Sequence, residues 1–156
     1  MGKFFVDRQA LVSELEKLRA QRPFLKMVFT NGCFDILHVG HVRYMSEAAK
    51  LGDILVVGIN TDESVSRLKP GRPVNGEKER AELLASLEMV DYAVLFQEET
   101  PYELIKSIRP DVLVKGGDWK KEEIVGSDIV PVTLSLKYEN GFSTTETIRK
   151  IRSLPA

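Results

Sequence analysis

Ile54-Leu55-Val56-Val57-Gly58-Ile59 is a continuous apolar run of strand length. A strand with one wet face alternates apolar and polar residues. A strand without alternation is covered on both faces, as in the parallel sheets of α/β proteins. The rest of the chain fits that frame. Lys26–Thr30, Tyr92–Phe96, Asp111–Lys115 and Pro131–Leu136 read as four further strands. Helical stretches separate them. One runs over 39–50 and ends near Gly52 in the manner of a glycine C-cap. Another runs from Glu77 to Glu88, with Ala81, Leu84, Ala85 and Leu87 inward. A third is capped by Thr100, with Pro101 at its first position and Glu103 closing a capping box. Ser143-Thr144-Thr145-Glu146 is a second capping box and opens a last helix to about Arg152. Asp7 reads as the N-cap of a first helix, with Ala10, Leu11, Leu15 and Leu18 on one stripe and Pro23 ending it. Residues 1–22 are therefore expected to be a helical extension. The alternation predicts one α/β domain over 1–156, with a Rossmann-like, doubly wound, five-stranded parallel sheet.

In such sheets ligands bind beyond the carboxyl ends of the strands, where strand order reverses. Four segments are expected there: Asn31–His41, Asn60–Asp62, Lys115–Trp119 and Gly141–Thr145. The first holds both histidines of the chain, His38 and His41, at a strand-to-helix junction. Helix N-termini favour anions, phosphate above all. Gly32 permits a tight turn or close approach of a ligand, and Gly40 costs about 1 kcal/mol of helix propensity against alanine. Imidazoles donate hydrogen bonds to phosphate oxygens and offset charge that grows in a transition state. Asp35 is the one evident third metal ligand beside the histidines and Cys33 the one thiol, which argues against structural zinc. Gly71–Gly76 has glutamate at position 77 where a phosphate loop needs lysine, and no strand precedes it.

A net charge of −1 gives no electrostatic support for nucleic-acid or membrane binding. A single cysteine cannot form an internal disulfide. No stretch approaches the roughly 20 apolar residues of a membrane span, and Met1–Ala10 lacks the apolar core of a signal peptide. A soluble cytoplasmic protein is expected.

His38-Val39-Gly40-His41, preceded by Gly32-Cys33-Phe34-Asp35, resembles the HxGH signature of the cytidylyltransferase-like nucleotidyltransferases. Ala49–Asp53, Ile59–Glu63, Glu79-Arg80, Val90-Asp91, Gly116–Trp119 and Ser143–Thr145 match later motifs of that family in order. The resemblance runs from about Val28 to Ile151. It implies that a phosphate oxygen of a phosphorylated substrate attacks the α-phosphorus of a nucleoside triphosphate and pyrophosphate leaves. Such a transfer needs positioning and charge stabilisation rather than a protein nucleophile. His38 and His41 would then stabilise the transferring phosphate. Lys50 either reaches the phosphates or is a helix-end lysine. Lys69 and Arg72 lie in a Pro/Gly loop where the family often places a basic residue over the ligands, with surface solvation as the alternative. Arg80 is raised above a solvated arginine only by the family match. The resemblance implies catalytic roles for His38, His41, Lys50 and Lys69, and substrate contacts from Arg72 and Arg80. The nucleotide would lie against Asn31, Gly32, Cys33, Phe34, Asp35, Gly40, Asn60, Asp62, Lys115, Gly116, Gly117, Asp118, Ser143, Thr144 and Thr145, with no protein-held metal. Cys33 reads as a turn filler, and Trp119 as possible core.

Glycerol-3-phosphate cytidylyltransferases carry arginines where this chain has Glu88 and Tyr138. Thr30–His38, Arg72–Asn75, Leu113–Asp118 and Gly141–Thr145 instead resemble the adenylyltransferase domain of bifunctional ADP-heptose synthases. That resemblance implies transfer of AMP from ATP, with Mg²⁺, to D-glycero-β-D-manno-heptose 1-phosphate for the lipopolysaccharide core. The chain is too short to include the sugar-kinase domain, so a stand-alone enzyme with a separate kinase upstream is expected. The alternatives are a cytidylyltransferase for glycerol 3-phosphate or another alcohol phosphate, and a silent nucleotide-binding regulatory module. Relatives are commonly dimers, which leaves a homodimer open.

Overall fold

The sheet is entirely parallel and has six strands in the order β1-β4-β3-β2-β5-β6. They are β1 (Lys3–Phe5), β2 (Met27–Gly32), β3 (Ile54–Asn60), β4 (Tyr92–Phe96), β5 (Val112–Gly116) and β6 (Val132–Leu136). The computed structural model describes residues 1–137 and 142–155; Tyr138 and Gly141 lie outside the described residues. All seven residues of β3 are buried, as its unbroken apolar run requires. Side chains alternate between two covered faces. Met27, Phe29, Val56 and Val94 pack with Leu11, Leu15, Leu104 and Ile105 of the helices on one face. Val28, Leu55, Val57 and Ala93 pack with Met45, Ala48, Ala81 and Leu84 on the other. The sheet is thus doubly wound, with α1 (Arg8–Gln21) and α5 (Tyr102–Ile108) on the first face and α2 (Val39–Ala49) and α4 (Glu77–Ala85) on the second.

The expected five strands become six because Lys3-Phe4-Phe5 forms an edge strand, paired with Tyr92, Ala93 and Val94. Three residues are too few for a period to show. The first 22 residues are accordingly woven into the domain: Leu11 and Leu15 are fully buried, while Ala10 is exposed. Asp7 does cap α1, accepting from the N–H groups of Gln9 and Ala10. Thr100 does not cap α5. Pro101 takes the N-cap position without a side-chain bond, so Glu103 stands one residue too early for a capping box. α4 stops at Ala85, and Leu87 lies beyond it. A short helix that the pattern did not announce, α3 (Asp62–Leu68), follows β3 and is capped by Thr61 Oγ1 accepting from Ser64 N–H. The last helix, α6 (Thr144–Arg152), is capped by Ser143 Oγ accepting from Glu146 N–H.

Chain order reverses between β2 and β5. β2 pairs with β3 along its whole length, Met27–Gly32, but with β5 only at Val28 and Phe29. Beyond those residues the strands part. Tyr44 of α2 bridges the gap: its hydroxyl hydrogen-bonds Thr30 Oγ1 at 2.5 Å and donates to the carbonyl of Val114 at 3.2 Å.

Candidate active site

A cleft of about 590 Å³ opens where β2 and β5 part, at the carboxyl edge of the sheet. Asn31, Gly32, Cys33, Phe34, Asp35 and His41 form its floor. Asn60, Val65, Leu68, Lys69, Arg72 and Glu99–Pro101 form one bank; Lys115, Gly116, Trp119, Glu123–Val125, Thr144 and Thr145 form the other.

The floor is a turn held under constraint. Phe34 has φ of 47°, a region that bulky residues seldom occupy, and is buried with its ring edge-on to His41 at 5.3 Å. His38 is the N-cap residue of α2, and its ring stacks on His41 with centroids 3.8 Å apart. His41 Nδ1 accepts a long hydrogen bond, 3.4 Å, from the backbone N–H of His38. That places the neutral ring's proton on Nε2. Gly40 is narrow for a local reason: a Cβ there would come within 3.0 Å of both His38 Nδ1 and Phe142 Cβ. His38 is not on the cleft wall; it supports His41 from behind, and its Nδ1 is buried with no hydrogen-bond partner among the described residues.

Burial lowers the pKa of both histidines, and for His41 the like charges of His38 and Lys69 add to it, bringing it to about 4. His41 is therefore neutral at pH 7 in the free protein. In the unfolded chain it titrates near 6.5, so between about 4 and 6.5 the unfolded state binds more protons and acid favours unfolding. Thermal stability should fall as the pH drops through that window, with a shallower slope in His41→Gln. An identical slope in the variant, measured by calorimetry, would rule out His41 as the source.

Asp35 is only 5% exposed. Its carboxylate accepts from the N–H groups of Val74 (2.7 Å) and Asn75 (3.0 Å) and from the Arg72 guanidinium (2.9 Å). Burial pushes its pKa up, but the Asn75 N–H, the Arg72 guanidinium and the Val74 N–H outweigh this and hold it below the usual carboxylate value. On the other bank, burial lowers the pKa of Lys115, opposed by Cys33 and reinforced by the like charge of Lys69. Lys69 thus lies within electrostatic reach of both His41 and Lys115.

Several expected site residues stand elsewhere. Lys50 lies at the far end of α2, roughly 13.5 Å along the helix axis from His41 at about 1.5 Å per residue, and pairs with Glu47 in solvent. Arg80 is 1% exposed and does not line the cleft. Its guanidinium donates to the carbonyls of Asn75, Cys33 and Asn60 and to Asp62 Oδ1. It fastens the floor, the end of β3 and the 69–76 loop together from behind. Asp62 is likewise turned to Arg80, and Ser143 to its own helix. Gly117 and Asp118 form the turn above Gly116 rather than the wall. Gly117 has φ of 124°, and a Cβ on it would meet Trp119 Nε1 at 2.6 Å.

Trp119 is a wall residue, 46% exposed, not core. Its indole N–H donates to the carbonyl of Gly116, and its backbone N–H to Ser135 Oγ. Its place directly after a glycine turn at a strand end was the available signal. Glu99–Pro101 and Glu123–Val125 gave none, because their composition is that of ordinary loops.

A helix N-terminus carrying a neutral imidazole, two lysines on the same cleft, and a position at the switch point of a doubly wound sheet make a site suited to the phosphates of a nucleotide. The cytidylyltransferase-like family model matches residues 29–150, and the chain belongs to that family. It is 56% identical over 142 residues to "Bifunctional protein HldE" of Aliarcobacter butzleri, covering 89% of this chain and 30% of that protein. It is 57% identical over 152 residues to the protein of the same name from Nitratiruptor sp., covering 97% and 32%. The chain thus spans about a third of the length of these curated relatives. Among solved structures it is similar to the lipopolysaccharide core biosynthesis protein of Thermoplasma volcanium, with 31% identity, TM-score 0.65, and coverage of 74% of this chain and 99% of that one. It also shares its fold with pantoate–β-alanine ligase of Francisella tularensis, at TM-score 0.63 and 16% identity, covering 99% of this chain and 79% of that one. No helix among the described residues is long and apolar enough to cross a membrane.

Proposed function

We propose that the chain transfers AMP from ATP to D-glycero-β-D-manno-heptose 1-phosphate, releasing pyrophosphate. The observation that carries the reading is the convergence of His41, Lys69 and Lys115 on one cleft at the N-terminus of α2. The choice of nucleotide and sugar rests on the likeness of Thr30–His38, Arg72–Asn75 and Leu113–Asp118 to ADP-heptose synthases, together with the similarity to the bifunctional HldE proteins. An oxygen of the acceptor's phosphate attacks the α-phosphorus, and the bond from that phosphorus to the bridging oxygen of pyrophosphate breaks. His41 Nε2–H and the N-terminal amides of α2 donate to the α-phosphate as charge gathers on it. The arriving triphosphate raises the pKa of His41, so the imidazole gains positive character as the charge develops. Lys69 and Lys115 hold the phosphates from opposite banks. Trp119 and the Gly116 turn receive the nucleoside. The 68–72 and 99–101 bank receives the sugar.

Among the described residues no three His, Cys, Asp or Glu side chains gather as a metal site. Mg²⁺ in this reading enters with ATP, bound to its phosphate oxygens, and no residue is assigned to it.

Pyrophosphate release with ATP or CTP, across a panel of sugar and alcohol phosphates, tests the proposal. Turnover is expected with ATP and heptose 1-phosphate. Turnover with CTP and glycerol 3-phosphate alone would replace the substrates. Tight ATP binding with no turnover on any acceptor would make the chain a regulatory module.

A further inference from the structure

The floor and the lysine bank are joined through one buried side chain. The loop 69–76 carries Lys69 at its start and runs back over the β2–α2 turn. At its near end the carbonyl of Lys69 accepts from Arg72 N–H, and the carbonyl of Arg72 accepts from Ser66 Oγ. At its far end Gly76 N–H donates to Glu79, and Asn75 is held by Arg80. These bonds tie the loop to α3 and α4. The carboxylate of Asp35 ties it to the histidine turn, through Val74 N–H, Asn75 N–H and the Arg72 guanidinium, while the backbone carbonyl of Asp35 accepts from Asn75 Nδ2.

That arrangement commits both carboxylate oxygens to bonds from the loop. It also neutralises Arg72, one of the two cations of the loop segment on the cleft wall, and leaves Lys69 with no acidic partner among the described residues. We propose that Asp35 is a positioning residue: it holds the 69–76 loop against the β2–α2 turn and so fixes Lys69 relative to His41. This rests on the nucleotidyl-transfer reading for its effect on rate, but not for its effect on the loop. The physical reason is preorganisation. A cation stabilises a transition state at full strength only if its place is set beforehand, and a displacement of about 1 Å costs on the order of 100-fold.

The test is a double-mutant cycle in pyrophosphate release with ATP and heptose 1-phosphate. Asp35→Asn keeps an acceptor for the backbone N–H groups and loses the charge that holds Arg72. It should lower kcat at least ~10-fold while KM for ATP moves less than ~3-fold. Lys69→Ala should lower kcat by a comparable or larger factor. The double variant should be within ~3-fold of Lys69→Ala alone, because the first change acts through the second residue. Multiplying effects, or a raised KM for ATP at unchanged kcat, would overturn the proposal and make Asp35 a direct ligand contact. Arg72→Gln loosens the same strap from its more exposed side and is a second entry to the cycle if Asp35→Asn folds poorly; its effect should also vanish in the Lys69→Ala background. Hydrogen exchange needs no turnover. The amides of Val74 and Asn75 should exchange faster in Asp35→Ala, which removes their acceptor, than in the native protein. Unchanged exchange would overturn the proposal whatever the substrates prove to be. Faster exchange with no turnover in the native protein would support the strap and count against the function.

Discussion

His41→Ala should turn over at least ~100-fold more slowly than the native enzyme, with the loss in kcat rather than in KM for ATP. His41 presents one neutral N–H to the cleft from the first turn of α2, where charge on the α-phosphate would develop. Alanine keeps the helix and its amides but removes the donor. The fold should lose little, because the ring lines the cleft floor, edge-on to Phe34 and stacked on His38. Steady-state kinetics with thermal melts check both halves. Near-normal turnover would remove His41 from the mechanism; a collapsed melt would show that the stacked ring supports the turn.

The second large effect is on stability. Arg80→Met keeps a stem of similar length and removes every donor. The carbonyls of Cys33, Asn60 and Asn75 then lose their partner in a site with almost no access to water. Breaking such a buried charged network costs about 3–5 kcal/mol. For a domain of this size that is roughly 10 °C in melting temperature. Urea unfolding gives the free energy directly, and a loss under about 1 kcal/mol would show that water replaces the guanidinium. ATP affinity, measured at a temperature where the variant is folded, should fall less than in Lys69→Ala.

Arg80 also shows how far the sequence could be read. Its family match suggested a ligand contact, yet it shares a helical stripe with Ala81, Leu84 and Ala85, all buried. A charge on an apolar stripe signals a buried, fully bonded side chain, and that local signal was the better guide. The sheet was legible because Ile54–Ile59 and its neighbours are covered on both faces, which leaves few architectures. The first strand was not, since Lys3–Phe5 gains its place only by pairing with β4, some 90 residues on. The floor of the cleft was legible because glycines and histidines at a strand end have few structural uses. Its banks were not. Glu99–Pro101 and Glu123–Val125 become wall residues through the path of the chain. Lys50 fell on the right helix at the wrong end, which the helix's length alone decides.

The parting of β2 from β5 bears on how such an enzyme can be altered. Each side of the seam carries its own ladder of backbone hydrogen bonds, and Tyr44 is a bolt between them. The 99–101 loop follows β4 and the Lys115–Trp119 loop follows the end of β5, on opposite sides of that parting. Under the proposed reading, substitutions at 99–101 should change the choice of acceptor while the register of the Lys115–Trp119 side, set by β5 and β6, is kept.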